Sequence, residues 1–253
     1  MKRNPGAVHM IIGIDEAGRG PIIGPLVVGA VAVDNEDYLK KIEVKDSKVY
    51  TNASRETAFN QLKANVCYSI ETISATTIDI ERKNLTLNRI EINAFAAVIL
   101  KLYQKLSYRF DNLPHMISVS TIYVDSCDVN EERFARDLAN VLAGYCREGD
   151  TKTDMDNEIF HHIVSEHKAD EKFPVVSAAS IVAKTFRESE IERIKFELGE
   201  DFGSGYPSDP HTRRYLEDYL RKNGTFPRFV RYSWDTINKI KKKVYSTTLS
   251  DFF

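Results

Sequence analysis

The sequence predicts a mixed α/β domain followed by a helical appendix. Two patterns carry this expectation. β-branched runs come first and then alternate with segments of helical period, and beyond about residue 175 only helical segments remain. Val8–Asp15 is read as a strand, bounded by Asn4-Pro5-Gly6 and a glycine-rich turn. Pro25–Val33 is a second apolar run, ended by Asp34-Asn35. Ser54–Val66 is read as a helix with Ser54 as its cap, and Tyr68–Ala75 as β-rich. Thr86–Leu106 is the clearest helix, because Leu87, Ile90, Ala94, Val98, Leu102 and Leu106 recur every three or four residues. Val119–Asp125 reads as a strand, Asn130–Tyr145 as a helix capped by Asn130, and Ile159–Ser165 as a strand. Val175–Leu198 is a long helix with Val175, Ala179, Val182 and Phe186 on one face. His211–Asn223 and Ser233–Val244 are further helices after a turn-rich Gly199–Pro210, and Ser246–Phe253 is expected to be a flexible tail.

Composition narrows the function classes. The chain has 253 residues, 42% hydrophobic and 28% charged, which is ordinary for a globular domain. No apolar run approaches about 18 residues, and Met10–Ile14 is too short for a signal segment, so an unexported, cytoplasmic protein without a membrane partner is expected. Cys67, Cys127 and Cys146 offer no disulfide framework or thiolate zinc pattern, which fits a reducing compartment. The net charge of −2 excludes a globally basic nucleic-acid binder. Charge is uneven, however: residues 221–243 hold eight Lys/Arg against Asp235 alone, +7 in a chain whose remainder is therefore −9. An acidic body with a basic flank suits a protein that holds metal ions near a polyanion, although a solvated helix face gives the same run.

Three acids close or follow apolar stretches. Asp15 ends Met10–Ile14, Asp125 ends Ser120–Val124, and Asp170 follows His161–Ala169 ahead of the long helix. A carboxylate placed there is costly unless paired or bound to a cation. Hard oxygen donors without cysteine suit Mg²⁺ or Mn²⁺ rather than Zn²⁺. Two such ions about 3.5–4 Å apart activate water and stabilise the leaving oxygen in phosphodiester cleavage. Each acid could instead be a turn former or a helix cap; Asp170 taken alone is more often a cap than a ligand, and Asp15 is harder to dismiss. Glu16 follows Asp15 directly, and on a regular strand the two would point to opposite faces, so joint service requires the strand to end or bulge between them.

The stretch Asp15–Pro25, Asp-Glu-Ala-Gly-Arg-Gly-Pro-Ile-Ile-Gly-Pro, neither continues a strand nor starts a helix easily. It fails as a dinucleotide fingerprint because Ile23 occupies the third glycine position and Pro21 lacks a donor. No phosphate loop is present, which disfavours a nucleotide-dependent enzyme. The loop reads as a close backbone approach to a ligand beside the acids, with Arg19 adding charge, or else as a tight structural turn.

Together these stretches resemble ribonuclease HII. Gly13–Pro21 with Gly24-Pro25 is similar to that family's signature. Asp46-Ser-Lys48, Tyr123–Ser126 with Asp128–Asn130, His167–Asp170, Pro174–Ser180 with Ala183-Lys184, Gly203–Pro210 and Arg228–Arg231 with Ser233-Trp234 follow in order. The layout resembles archaeal members; with no separate domain ahead of Gly13, the ribonuclease HIII type is not expected. The resemblance implies an α/β, RNase H-like mixed five-stranded sheet flanked by helices (residues 1–205), a C-terminal helical substrate-binding subdomain (206–245) and a clamp-binding tail (246–253).

It further implies that Asp15, Glu16, Asp125 and Asp170 are the catalytic, metal-binding acids for two divalent ions, Mg²⁺ or Mn²⁺. Gly18, Arg19 and Gly20 would grip the strand and sense the 2′-hydroxyl, Lys48 would touch a phosphate, and Tyr206 would stack on the deoxyribose 3′ of the cut. The implied reaction is hydrolysis of the RNA strand of RNA–DNA hybrids and incision 5′ of single ribonucleotides in duplex DNA, leaving 3′-hydroxyl and 5′-phosphate ends, in ribonucleotide excision repair and primer removal. A monomer is expected. His167 could assist protonation of the leaving group, although a residue that caps or packs beside Lys168 is the commoner reading; His161 and His162 read as structural, and Lys184 could approach the acids from its helix. The end of the chain resembles a sliding-clamp (proliferating-cell nuclear antigen) binding box, Leu249 with Phe252 and Phe253, with Ser246 in place of the usual glutamine. A non-catalytic nucleic-acid adaptor is the rival reading; it gains nothing from carboxylates near phosphates.

Overall fold

The computed structural model describes residues 8–42, 51–109, 117–148 and 162–250, without the side chains of 52, 146–148 and 247–250. Lys48, Phe252, Phe253, the Leu249 side chain and the segment 159–161 lie outside the described residues. Strands β1 (Val8–Ala17), β2 (Leu26–Val33), β3 (Cys67–Ile73), β4 (Ile117–Asp125) and β5 (Ile163–Glu166) form one sheet in the order β3-β2-β1-β4-β5. β1 pairs antiparallel with β2 and parallel with β4, and β4 runs parallel to β5. Every residue of β2 is buried, the pattern of a strand covered on both faces. The mixed five-stranded sheet with flanking helices is the one the resemblance implied.

The helices are α1 (Asp37–Lys41), α2 (Asn52–Asn65), α3 (Ala75–Glu81), α4 (Leu87–Arg109), α5 (Glu131–Glu148), α6 (Ala169–Lys172), α7 (Pro174–Leu198), α8 (Pro210–Asn223) and α9 (Asp235–Ser250). The cap of α2 is Thr51, whose hydroxyl accepts the Ser54 N–H, so the helix starts a turn earlier than its Ser54 suggested. Asn130 does cap α5, its side chain accepting from Arg133 N at 2.8 Å. Helix α9 runs on to Ser250, past the point where a flexible tail was expected, because no glycine or proline interrupts Val244–Ser250.

The chain divides into two compact units. The first takes Met1–Ala17, Val27–Glu71 and Glu91–Phe186; the second takes Gly18–Leu26, Thr72–Ile90 and Arg187–Phe253. In the first, Val175, Val176, Ala179 and Val182 of α7 pack with Val31, Leu39 and Leu62. Two glycines permit this packing. A Cβ on Gly13 of β1 would lie 2.3 Å from the Val175 carbonyl, and one on Gly29 of β2 2.7 Å from the Ala179 oxygen. The helix backbone therefore rests directly on the sheet. The second unit has its own core of Ile22, Ile23, Ile194, Phe202, Leu216 and Ile237.

Candidate active site

In the first unit the sheet delivers two acids side by side. Ile14 pairs with Val124, so Asp15, two residues before the end of β1, and Asp125, the last residue of β4, follow next to each other on parallel strands. Asp170 arrives from α6. Lys168, ahead of it, adopts φ 56°, the one positive φ at a non-glycine among the described residues. A lysine there is strained by about 1–2 kcal/mol. The turn directs Ala169 N to Asp125 Oδ1 at 2.8 Å. Asp15 and Asp170 are 4% and 6% exposed.

These acids feel one another. Burial first, then the charges of Asp125 and, more weakly, Asp170, push the Asp15 carboxyl up to about 7; a hydrogen bond from Ser180 and the Lys184 ammonium work against them. Ser180 and Lys184 both stand on α7, so the expectation that Lys184 approaches the acids holds. In the sequence Ser180 is only the end of the Pro174–Ser180 motif; its hydrogen bond to Asp15 shows when the helix is seated.

Glu16 is different. The β1–β2 ladder keeps its register through Asp15, Glu16 and Ala17, so the strand neither ends nor bulges between the two acids. Glu16 donates its backbone N–H to Asp15 Oδ1 at 2.7 Å. Among the described residues no three His, Cys, Asp or Glu side chains form a ready-made metal shell. The donor set nonetheless fits a hard cation: carboxylate oxygens, desolvated, with converging charge that a divalent ion would neutralise.

Other motif residues make contacts that brace neighbouring elements. The buried Asp128 carboxylate accepts from Asn130 N at 3.0 Å and from the Arg133 guanidinium, locking the start of α5. His167 donates its backbone N–H to Glu131 and sets its ring Nδ1 3.3 Å from Ser126 O, in keeping with a structural histidine.

In the second unit the loop Gly18–Pro25 has positive φ at Gly18 (91°) and Gly24 (96°). Ile22 and Ile23 donate to Gly205 O, and Arg19 Nη2 donates to Asn88 Oδ1 at 2.7 Å. An open groove of about 410 Å³ is lined by Arg19, Gly20, Arg82, Leu87, Ser233, Trp234 and Asp235. Tyr206 is 38% exposed, and the Arg187 guanidinium lies 5.3 Å from its ring centre. A Cβ on Gly20 would sit 3.6 Å from that ring, so the aromatic face flanks the loop. Asp209, the cap of α8, braces the turn before it: Ser204, His211 and Thr212 donate to its carboxylate and hold it well below the usual carboxylate range.

The basic flank is less free than its sequence suggested. Arg231 is fully buried, Arg228 pairs with Glu197, Arg221 with Asp218, and Lys243 with Glu217.

A mixed sheet of this order, with Asp15 and Asp125 side by side on its central parallel strands, has the RNase H-like fold of nucleases. The ribonuclease HII family model matches residues 12–237, and the chain belongs to that family, nucleases that cleave the RNA strand of RNA–DNA hybrids. It is 41% identical to the ribonuclease HII of Pyrococcus abyssi over 92% of this chain and 92% of that one. Among solved structures it is similar to the ribonuclease H2 of Pyrococcus horikoshii, with TM-score 0.74, 37% identity, and coverage of 93% of this chain and 99% of that one. It is also similar to a structure of the PCNA:RNase HII complex from Archaeoglobus fulgidus, with TM-score 0.74, 38% identity, and coverage of 91% and 96%. No described helix is long and apolar enough to cross a membrane.

Proposed function

We propose that this protein, besides cutting hybrids, incises 5′ of single ribonucleotides in duplex DNA and leaves 3′-hydroxyl and 5′-phosphate ends, acting in the cytoplasm in excision repair and primer removal. The observation that carries the catalytic part is the burial of Asp15 beside the charges of Asp125 and Asp170, which together raise its carboxyl to about 7. Carboxylates so placed would hold two ions of Mg²⁺ or Mn²⁺, and Glu16 comes in as fourth ligand through the motif alone. The bound cations would supply an activated water and charge neutralisation at the phosphate. Within the protein, Ala169 N–H orients Asp125, Ser180 orients Asp15, and Lys184 offsets negative charge before a cation arrives.

Substrate reading falls to the second unit. The backbone of Gly18, Arg19 and Gly20 would sense the 2′-hydroxyl, the group that separates ribose from deoxyribose. Exposure of the Tyr206 ring supports its stacking on the sugar 3′ of the cut. Lys48 would contact a phosphate. The test is a duplex carrying one embedded ribonucleotide, incubated with Mg²⁺ and with EDTA. One nick 5′ of the ribonucleotide is expected in Mg²⁺ and none in EDTA; cleavage that survives the chelator would overturn the proposal. Tyr206→Ala should lower cleavage at the RNA-to-DNA junction about tenfold, the worth of one stacked unit, and cost less on long hybrids. Equal losses on both substrates would reject the stacking role.

The tail is proposed to bind a sliding clamp through Leu249, Phe252 and Phe253. The support is the motif and the similarity to the enzyme of the Archaeoglobus fulgidus PCNA:RNase HII complex. Deleting residues 246–253 should abolish clamp binding in a pull-down or calorimetric titration while cleavage of naked substrate stays unchanged. Unaltered clamp affinity would end the idea.

A further inference from the structure

Arg231 is the largest fully buried side chain among the described residues. Its guanidinium spreads over the carbonyls of one loop: Nε donates to Gly24 O at 3.0 Å, Nη1 to Arg19 O at 3.0 Å, and Nη2 to Gly18 O at 2.6 Å. The backbone on either side joins in. Arg231 N donates to Ile22 O at 2.9 Å, and Gly24 N donates to Phe229 O at 2.9 Å. Trp234 covers the guanidinium, its ring centre 4.9 Å from Cζ. The segment carrying Arg231 is itself anchored, because Asp79 of α3 accepts the N–H groups of Tyr232 and Ser233 at 2.7 and 2.9 Å.

Burying a cation is expensive, and the cost is met only when its donors are satisfied. Here the satisfying groups are the loop's own carbonyls, so the charge and the loop conformation depend on each other. A trans peptide sets its C=O and N–H in opposite directions. With the carbonyls of Gly18 and Arg19 drawn onto Arg231, the N–H groups of the next residues, Arg19 and Gly20, face the other way. Gly20 is exposed. Positive φ at Gly18 and Gly24 lets the chain turn so that these carbonyls converge. A planar fork of donors can do this; a lysine ammonium, a point charge on a long stem, cannot reproduce it.

We propose that Arg231 is a positioning residue for ribose recognition: by holding the peptide planes after Gly18 and Arg19 in one orientation, it presents the N–H groups of Arg19 and Gly20 to the 2′-hydroxyl of the substrate. The inference rests on the proposed reading of Gly18–Gly20 as the hydroxyl-sensing loop.

The test is a ratio of affinities, for a duplex with one ribonucleotide over the same all-deoxy duplex, measured with Ca²⁺ in place of Mg²⁺. A ratio does not depend on the fraction of protein that is active, so a merely structural role leaves it unmoved. Wild-type protein should prefer the ribonucleotide duplex, and Arg231→Gln should lower that preference about tenfold, the worth of a hydrogen bond. Arg231→Lys should fail to restore it fully. An unchanged ratio in a folded Arg231→Gln protein overturns the inference. Should that variant not fold, hydrogen exchange on the wild type decides. The amides of Arg19 and Gly20 should be protected by the ribonucleotide duplex and not by the all-deoxy one, and equal protection by both overturns the proposal. A wild-type ratio near one removes the loop reading itself, an outcome distinct from loss of Arg231's role.

Discussion

Asp125→Asn should fold, bind substrate, and turn over about a hundredfold more slowly or worse, because it removes charge from the centre proposed to hold cations while leaving the local geometry intact. Asn Oδ1 can still accept the Ala169 N–H that Asp125 accepts at 2.8 Å. The same change predicts an opposite effect on stability. Asp15 in the folded protein keeps its proton up to about 7 against an ordinary value of 3.8. Between those values the folded state binds more protons than the unfolded state, so raising the pH through that window destabilises the cation-free protein. Removing the Asp125 charge removes the largest electrostatic contribution to the rise, leaving burial as the dominant cause. In EDTA, the melting temperature of Asp125→Asn should therefore fall less than that of the wild type as pH rises from 4 towards 7. Single-turnover rates at saturating Mg²⁺ and melting curves across pH check both halves. A wild-type rate, or identical pH dependence, would count against the shared electrostatics of Asp15 and Asp125.

Legibility in the sequence followed the range of the interactions. The strands and long helices were readable because hydrophobic period is local: the repeat from Leu87 to Leu106 forecast α4, and the β-branched runs forecast β1 and β4, although β1 runs on through Glu16 and Ala17 past its expected close at Asp15. Short elements were not. Helices α1 and α3 lack room for a periodic face, and Thr76 and Thr77 of α3 continue the β-rich composition of Tyr68–Ile73 although Ser74 caps the helix. The left-handed Lys168 gave no signal, since lysine is not a residue that favours that region. Arg231 was counted as part of a basic flank because its partners, such as Gly18, lie 213 residues away in the chain. Nothing in a local pattern tells a buried arginine from a solvated one. Glu16 shows the reverse case. The motif assigns it to the site, while the ladder register supplies none of the bulge that its geometry was expected to need.

Gly13→Ala should be among the most damaging substitutions that touch no titratable group. Gly13 lies within the sequence motif around the acids, yet its demand is for space. The added Cβ would meet Val175 C and O at 2.3 Å and Val176 N at 2.6 Å, all backbone atoms at the start of α7. Backbone cannot rotate aside as a side chain can, so relief requires moving the helix off the sheet. Overpacking costs about 1–3 kcal/mol and occasionally more, and a clash against backbone belongs at the upper end. For a domain of this size ~3 kcal/mol is a fall of roughly 6–12 °C in melting temperature. Displacing α7 also moves Ser180 and Lys184, the groups that act on Asp15, so activity should fall further than the folded fraction does. Gly144→Ala is the matched control. It stands in α5 with nothing within 4 Å of an added Cβ, and should gain about 0.5–1 kcal/mol from helix propensity. Differential scanning calorimetry of the two variants, with cleavage rates normalised to folded protein, separates the outcomes. A Gly13→Ala protein as stable and as active as Gly144→Ala would mean that α7 does not rest on β1 as described.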